Sequence, residues 1–94
     1  MATKSSGESS KRILIVEDEK LVREYLVSLL IRHGYQVLET ADAENAVSTF
    51  LLQKGEVDLV FTDMNLPGRT GIQLMDEIRT FEPHVPFVIG SADP

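Results

Sequence analysis

Short apolar runs alternate with helix-like segments along this chain, and that alternation restricts the possible folds more than any other feature. Residues 13–16 (ILIV), 57–62 (VDLVFT) and 87–89 (FVI) are rich in β-branched and aliphatic side chains, as buried strands are. Residues 35–39 form a shorter candidate strand. The resulting order, β-α-β-α-β-α-β, predicts an α/β fold with a doubly wound parallel sheet, right-handed crossovers and helices on both faces.

The segments between these strands place apolar residues at spacings of three and four, which is the period of an amphipathic helix. The first helix is predicted to follow the acidic residues 17–19 and to end at Gly34. The second begins after an N-cap at Asp42 and stops at Gly55, and the third covers residues 72–80. Four strands and three helices are therefore expected.

Length and charge exclude several classes of function. A chain of 94 residues suffices for one small domain, and its 15 acidic residues against 9 basic ones give a net charge of −6. This acidity argues against nucleic-acid binding and against an anionic membrane surface. Cysteine is absent from the sequence, which excludes disulfides, thiolate metal sites and cysteine nucleophiles.

The two ends of the sequence differ in composition. Residues 1–11 are rich in Ser, Gly and Lys, contain no apolar run typical of a secretion signal, and are interpreted as a flexible leader. Residues 12–94 are interpreted as the folded domain. No apolar stretch in the sequence is long enough to span a bilayer, so we expect a soluble, cytoplasmic protein without membrane contact.

Polar side chains follow three of the predicted strands. Glu17 and Asp18 follow the first strand, Asp63 ends the third, and Ser91 follows the fourth. Functional groups gather at the carboxyl ends of parallel strands, so adjacent first and third strands would bring three carboxylates together. Like charges at such distances repel unless a cation lies among them, and oxygen ligands alone favour Mg²⁺. Each acid taken singly fits helix capping equally well.

Three segments match a known family. ILIVEDE at 13–19, DLVFTDMNLPGRTG at 58–71 and PFVIGSA at 86–92 together resemble the receiver domain of two-component response regulators. The resemblance implies a flavodoxin-like receiver fold with strand order 2-1-3-4-5. A complete receiver has five strands and five helices, so the chain is expected to be C-terminally truncated, lacking the last α-β-α portion. The family's Lys and its aromatic switch residue belong to that portion.

The resemblance also implies a role for each polar residue. Asp63 would be the phosphoacceptor, receiving phosphoryl from a histidine kinase or a phosphotransfer protein. Asp18 would be the principal Mg²⁺ ligand beside Asp63, Glu17 would help through water, and Asn65 would offer its backbone carbonyl. Ser91 would bond a phosphoryl oxygen and begin the activation switch. Such a domain is a signalling module of a phosphorelay rather than an enzyme.

The segment 65–71 is predicted to be a loop because of its Pro and Gly content. Pro67, Gly68 and Gly71 would shape this loop, since Gly tolerates backbone angles that other residues resist. Arg69 is interpreted as a solvated surface residue.

Two other functions stay open, and one assembly state is expected. The chain could be a non-phosphorylated scaffold or decoy that binds the kinase. It could also be an aspartyl-phosphate phosphohydrolase, although Asn65 occupies the position where such enzymes carry a second Asp as general acid/base. The fourth strand, residues 87–89, would have an unpaired edge, which predicts self-association.

Overall fold

The computed structural model describes residues 10–53 and 55–90. In chain order the elements are β1 (Arg12–Val16), α1 (Lys20–Arg32), β2 (Gln36–Thr40), α2 (Ala43–Leu52), β3 (Leu59–Asp63), β4 (Asn65–Leu66), β5 (Arg69–Thr70), α3 (Gly71–Arg79) and β6 (Phe87–Gly90). None of the helices in these ranges has the length and apolar character needed to cross a membrane. Ser91, which is a predicted site residue, and residues 1–9 of the predicted leader lie outside the described residues.

The four long strands form one parallel sheet in the order β2-β1-β3-β6. The predicted doubly wound fold, with four sheet strands and three helices, is confirmed. β1 is central because its side chains can be buried on both faces, and Leu14, Ile15 and Val16 are fully buried. β2 and β6 form the two edges of this sheet.

The two faces of the sheet are covered unequally. Side chains alternate between faces along a strand, so Leu14 and Val16 share one face and Ile13 and Ile15 the other. The first face packs against α2 and α3, which contribute the buried side chains Ala43, Ala46, Phe50, Leu74 and Ile78. The second face carries α1, and α1 has no buried residue.

Residues 65–71 contain a small hairpin rather than a continuous loop. β4 and β5 pair antiparallel, with Asn65 opposite Thr70 and Leu66 opposite Arg69. Leu66 is buried in the core and holds the hairpin against the body of the domain. Arg69 pairs with Glu77 of α3 and is only partly exposed. The prediction of a loop over residues 65–71 is therefore corrected to a short hairpin, and the prediction of a solvated surface Arg69 is corrected to a partly exposed arginine paired with Glu77.

The helix N-termini have the caps that their sequences favour. The Asp42 carboxylate accepts a hydrogen bond from the Asn45 backbone N at 2.7 Å, which confirms the predicted cap of α2. α3 begins at Gly71, one residue earlier than predicted. Thr70 and Gln73 form a reciprocal capping box there, each side chain bonding the other's backbone N–H.

The residues just before β1 contact the start of β2 and the turn that precedes it. The Lys11 carbonyl accepts a hydrogen bond from the Gln36 backbone N at 2.9 Å. The Ser10 hydroxyl donates to the Gly34 carbonyl at 3.2 Å. These two bonds tie the last two residues of the predicted leader to the turn between α1 and β2.

Candidate functional site

The carboxyl edge of the sheet brings three acidic side chains together. Glu17 and Asp18 directly follow β1, and Asp63 is the last residue of β3. β1 and β3 are neighbours with Val16 paired to Thr62, so the residues that follow this pair meet side by side. One carboxylate oxygen from each acid lies within 4.8 Å of those of the other two.

Glu17 is the buried member of this cluster. Its side chain is 5% exposed, its backbone N donates to the Thr40 carbonyl at 3.1 Å, and its carboxylate accepts from the Glu19 backbone N at 3.0 Å. Glu17 thus also serves the local turn, whereas the side chain of the N-cap residue Glu19 makes no capping hydrogen bond to α1. Asp18 is exposed and Asp63 is half-buried, so the cluster opens to solvent on the side of these two acids.

Burial and like charge raise the pKa of the Glu17 carboxyl above its ordinary value. Loss of hydration is the larger cause, and the negative charges of Asp63 and Asp18 add to it. The hydrogen bond from the Glu19 backbone N acts in the opposite direction. The charged form of Glu17 is therefore held at a cost that a bound cation would relieve.

The donor set of the cluster fits a hard divalent cation. The three groups supply oxygen ligands, and the cluster includes neither imidazole nor thiolate. Mg²⁺ prefers a site of this kind, in which one or two carboxylates bind it and several waters are retained. Because Asp18 is exposed and Asp63 is half-buried, solvent reaches the cluster.

The other predicted site residues lie near the same edge or outside the described residues. Asn65 is the first residue of β4, two positions beyond Asp63, and is exposed. Ser91 is not among the described residues. Gly90, which precedes it, pairs with Asp63, and its carbonyl accepts from the Met64 backbone N at 2.7 Å.

The backbone of Gly71 lies close to the backbone of Asp63. A Cβ atom at position 71 would lie 2.7 Å from the Asp63 carbonyl oxygen and 3.2 Å from the methyl carbons of Thr62 and Ile89. Gly71 does not have a positive φ, whereas Gly68 has a φ of +81° in the hairpin turn. The expectation that Gly71 is needed for its backbone angles is therefore wrong, because the requirement is one of space.

One residue close to the cluster has no counterpart in the sequence motifs. Arg23, in the first turn of α1, donates from Nη1 to the Glu17 carbonyl at 2.7 Å. Its Nε lies 3.4 Å from Oε1 of Glu39 at the end of β2. Nothing in the spacing of the acidic residues points to an arginine six positions after Glu17, and only the folded structure reveals the contact.

The family of the chain follows from comparison with known proteins. The family model for the response regulator receiver domain matches residues 13–93. The chain belongs to this family. The response regulator protein FleR of Pseudomonas aeruginosa is 36% identical over 81 residues, a region that covers 86% of this chain and 17% of FleR. The chain thus corresponds to a small part of that relative's length.

Solved structures of response regulators are similar to this chain in fold. The response regulator protein TrrA of Thermotoga maritima, solved in complex with Mg²⁺-BeF, is 34% identical with a TM-score of 0.81. The match covers 88% of this chain and 70% of that one. TrrA in complex with the histidine kinase ThkA gives a TM-score of 0.79, covering 87% of this chain and 69% of TrrA, also at 34% identity.

Proposed function

We propose that this receiver domain accepts a phosphoryl group on Asp63 from a histidine kinase or a phosphotransfer protein, with Mg²⁺ at the acidic cluster. One observation carries the proposal: the carboxylates of Glu17, Asp18 and Asp63 converge within 4.8 Å at the carboxyl edge of the sheet. Family membership and the similarity to a receiver solved with Mg²⁺-BeF support it.

The chemistry requires an ionised Asp63. One of its carboxylate oxygens attacks the phosphorus of the donor phosphohistidine, the P–N bond breaks, and the departing imidazole keeps the bond's electron pair and takes up a proton. The product is a mixed carboxylic–phosphoric anhydride on Asp63. Bound Mg²⁺ supplies positive charge that offsets the carboxylates and the incoming phosphoryl oxygens.

The remaining residues would hold the cation and the phosphoryl group. Asp18 is exposed beside Asp63 and would be the principal ligand, with Glu17 acting through water. Asn65 would add its backbone carbonyl. Ser91 would bond a phosphoryl oxygen, and its position after Gly90, the register partner of Asp63, supports that role.

Partnership with a histidine kinase is supported by the solved complex of TrrA with ThkA. The same support applies to the alternative function, a scaffold or decoy that binds the kinase without accepting phosphoryl. A phosphohydrolase is disfavoured because Asn65 cannot transfer a proton as an Asp would. The proposal describes a signalling module rather than an enzyme, and it retains the expected cytoplasmic location.

We also propose self-association through β6. This strand forms one edge of the sheet, and Val88 on it is 44% exposed. An unpaired edge with apolar side chains is a template for pairing with a second copy. Sedimentation at increasing concentration should show dimers, which Val88→Lys should weaken. A 10.5 kDa monomer at all concentrations would contradict this part of the proposal.

Phosphotransfer to Asp63 can be tested with a small acyl phosphate as donor and intact-mass spectrometry as readout. The wild type with Mg²⁺ should gain one phosphoryl group, and a chelator should prevent the gain. Asp63→Asn should gain none. Asp76→Asn, which alters an exposed carboxylate on α3, should behave as the wild type does.

Two other outcomes would replace the proposal. Equal kinase binding by the wild type and Asp63→Asn, without transfer from either the kinase or the acyl phosphate, would identify a scaffold. Sustained release of phosphate from a small phosphomonoester, abolished in Asp63→Asn, would identify a phosphohydrolase.

A further inference from the structure

Arg23 occupies a position that is unfavourable for an arginine on local grounds. It lies in the first turn of α1, where the helix dipole is positive and acidic side chains are preferred. Its side chain is only 17% exposed, so much of the guanidinium is removed from water. A partly buried cation beside a positive dipole costs free energy unless its donors find strong acceptors.

One acceptor directly follows β1 and the other lies on β2. Nη1 donates to the Glu17 carbonyl at 2.7 Å, a short charge-assisted hydrogen bond. Nε lies 3.4 Å from Oε1 of Glu39, and Glu39 is the register partner of Ile15 on β1. Arg23 therefore connects the first turn of α1 to the end of β1 and to the neighbouring strand β2.

The contact to Glu17 matters because of the peptide to which its carbonyl belongs. That peptide joins Glu17 to Asp18, so its orientation sets the direction in which the Asp18 side chain leaves the backbone. Glu17 is bonded at its backbone N by Thr40, at its carboxylate by Glu19 and at its carbonyl by Arg23. Of these three partners, only Arg23 contacts Glu17 through a charged side chain.

We propose that Arg23 is a positioning residue for the acidic cluster. It holds the Glu17–Asp18 peptide in place, so that both carboxylates keep their positions beside Asp63. Arg23 bonds a backbone carbonyl and Glu39, and it acts on the cation through these contacts rather than by ligation. The inference rests on the proposed function only in that it takes the cluster to be a cation site.

Charge and position have opposite effects on cation binding here, which makes the proposal testable. Replacing Arg23 by Gln removes a positive charge close to three carboxylates. By Coulomb's law alone, that loss would strengthen Mg²⁺ binding. Loss of the bond to Glu17 would weaken it, because the carboxylates would no longer be held together. The sign of the change therefore separates the two effects.

The first experiment measures Mg²⁺ affinity by titration in four proteins. Arg23→Gln should bind Mg²⁺ about tenfold more weakly than the wild type, as is typical when a residue that orients a metal ligand is lost. Arg23→Lys keeps the charge and should fall between the two. Arg32→Gln removes the same charge from the exposed last turn of α1 and should change little. Unchanged or tighter binding by folded Arg23→Gln would overturn the proposal.

The second experiment needs no cation and follows amide hydrogen exchange by NMR. The Glu19 amide is protected by the Glu17 carboxylate, whereas the Val60 amide bonds to the Pro86 carbonyl within the body of the domain. Arg23→Gln and Arg23→Lys should both speed exchange at Glu19 more than at Val60. An equal change at both amides, or none at Glu19, would reduce Arg23 to a general structural role.

The two measurements also distinguish a failure of the inference from a failure of the proposed function. A wild-type protein that binds no Mg²⁺ would contradict the proposed function, and Glu19 exchange would then decide the role of Arg23 by itself. Normal Mg²⁺ binding with unaltered Glu19 exchange in both Arg23 variants would contradict the inference alone.

Discussion

Charged side chains are arranged differently at the two ends of the strands of the parallel sheet, called here the amino edge and the carboxyl edge. At the amino edge, the guanidinium of Arg12 donates to Gln36 at 2.9 and 3.2 Å, to Gln53 at 2.9 Å and to Glu56 at 3.1 Å. The backbone N of Arg12 donates to the Asp58 carboxylate at 2.8 Å. A single cation there bridges two strands, the end of α2 and the segment before β3.

The carboxyl edge brings like charges together instead. One carboxylate oxygen from each of Glu17, Asp18 and Asp63 lies within 4.8 Å of those of the other two. The pKa of Glu17 is raised by burial and by the charge of its neighbours. The difference teaches that paired charges at one edge stabilise the fold, whereas concentrated negative charge at the other edge favours a cation at some cost in stability. Removing a charged side chain should therefore lower stability at the amino edge and should not lower it at the carboxyl edge when no cation is bound.

The largest expected effect is a steric one at the carboxyl edge. Gly71→Ala would place a methyl group 2.7 Å from the Asp63 carbonyl, and the backbone would have to move. We expect a loss of about 1–3 kcal/mol in the free energy of unfolding, as for other overpacked sites, and slower phosphorylation of Asp63. Urea unfolding and the acyl phosphate assay measure the two effects.

Gly90→Ala is the matched control for that substitution. It lies at the same edge, in register with Asp63, but among the described residues its new methyl group would meet only the Phe61 ring, at 3.8 Å. Its stability should change much less than that of Gly71→Ala. Equal losses in the two variants would show that close approach to Asp63 is not the reason for Gly71.

The next effect is the response of the carboxyl edge to Mg²⁺. At tenfold excess over the dissociation constant, Mg²⁺ should stabilise the wild type by about 1.4 kcal/mol, measured by thermal unfolding. Asp18→Asn should lose this response and should be no less stable than the wild type without Mg²⁺, because repulsion is reduced. A full Mg²⁺ response in Asp18→Asn would remove Asp18 from the site.

At the amino edge, Arg12→Gln should lower the free energy of unfolding by about 1 kcal/mol, because the partly exposed guanidinium loses several hydrogen bonds. Its Mg²⁺ response should stay intact, in contrast to that of Asp18→Asn. Arg32→Gln, with the same change of charge on an exposed helix end, should differ little from the wild type. A lost Mg²⁺ response in folded Arg12→Gln would show that the two edges are not independent.

The smallest effect is a pH dependence due to Glu17. A carboxyl with a raised folded-state pKa contributes stability below its ordinary pKa of 4.5, and this contribution is lost as pH rises through the folded-state value. Without Mg²⁺, the free energy of unfolding of the wild type should therefore fall relative to that of Glu17→Gln as the pH rises from 4.5 through the folded-state pKa of Glu17. Excess Mg²⁺ should reduce the loss. A stability difference that is constant from pH 4 to pH 8 would contradict the raised pKa.

The sequence predicted the parts of the fold that depend on local pattern. The β-branched run of β1, the Asp42 cap and the order of elements all follow from periods and caps that a few residues determine. The convergence of Glu17, Asp18 and Asp63 could also be predicted, because parallel strands end at a common edge.

Features that depend on packing between distant segments could not be predicted in this way. β3 begins at Leu59, although the apolar run begins at Val57, which is buried just before the strand. The hairpin depends on burial of Leu66, and the contact of Arg23 with Glu17 depends on how α1 lies across the sheet. The Thr70–Gln73 capping box was readable from the sequence, since Thr followed three positions later by Gln is its signature.

Because the two faces of the sheet are covered unequally, the helices should unfold at different free-energy costs. α1 contributes no buried side chain, whereas α2 and α3 fill the core on the other face, so α1 is the helix whose detachment costs least. Its first turn carries Arg23 and begins at Lys20, two residues after Asp18. Local unfolding of α1 would thus dismantle the acidic cluster while the core stayed folded. Proteases should then cut α1 first, and a cation at the cluster should delay that cut.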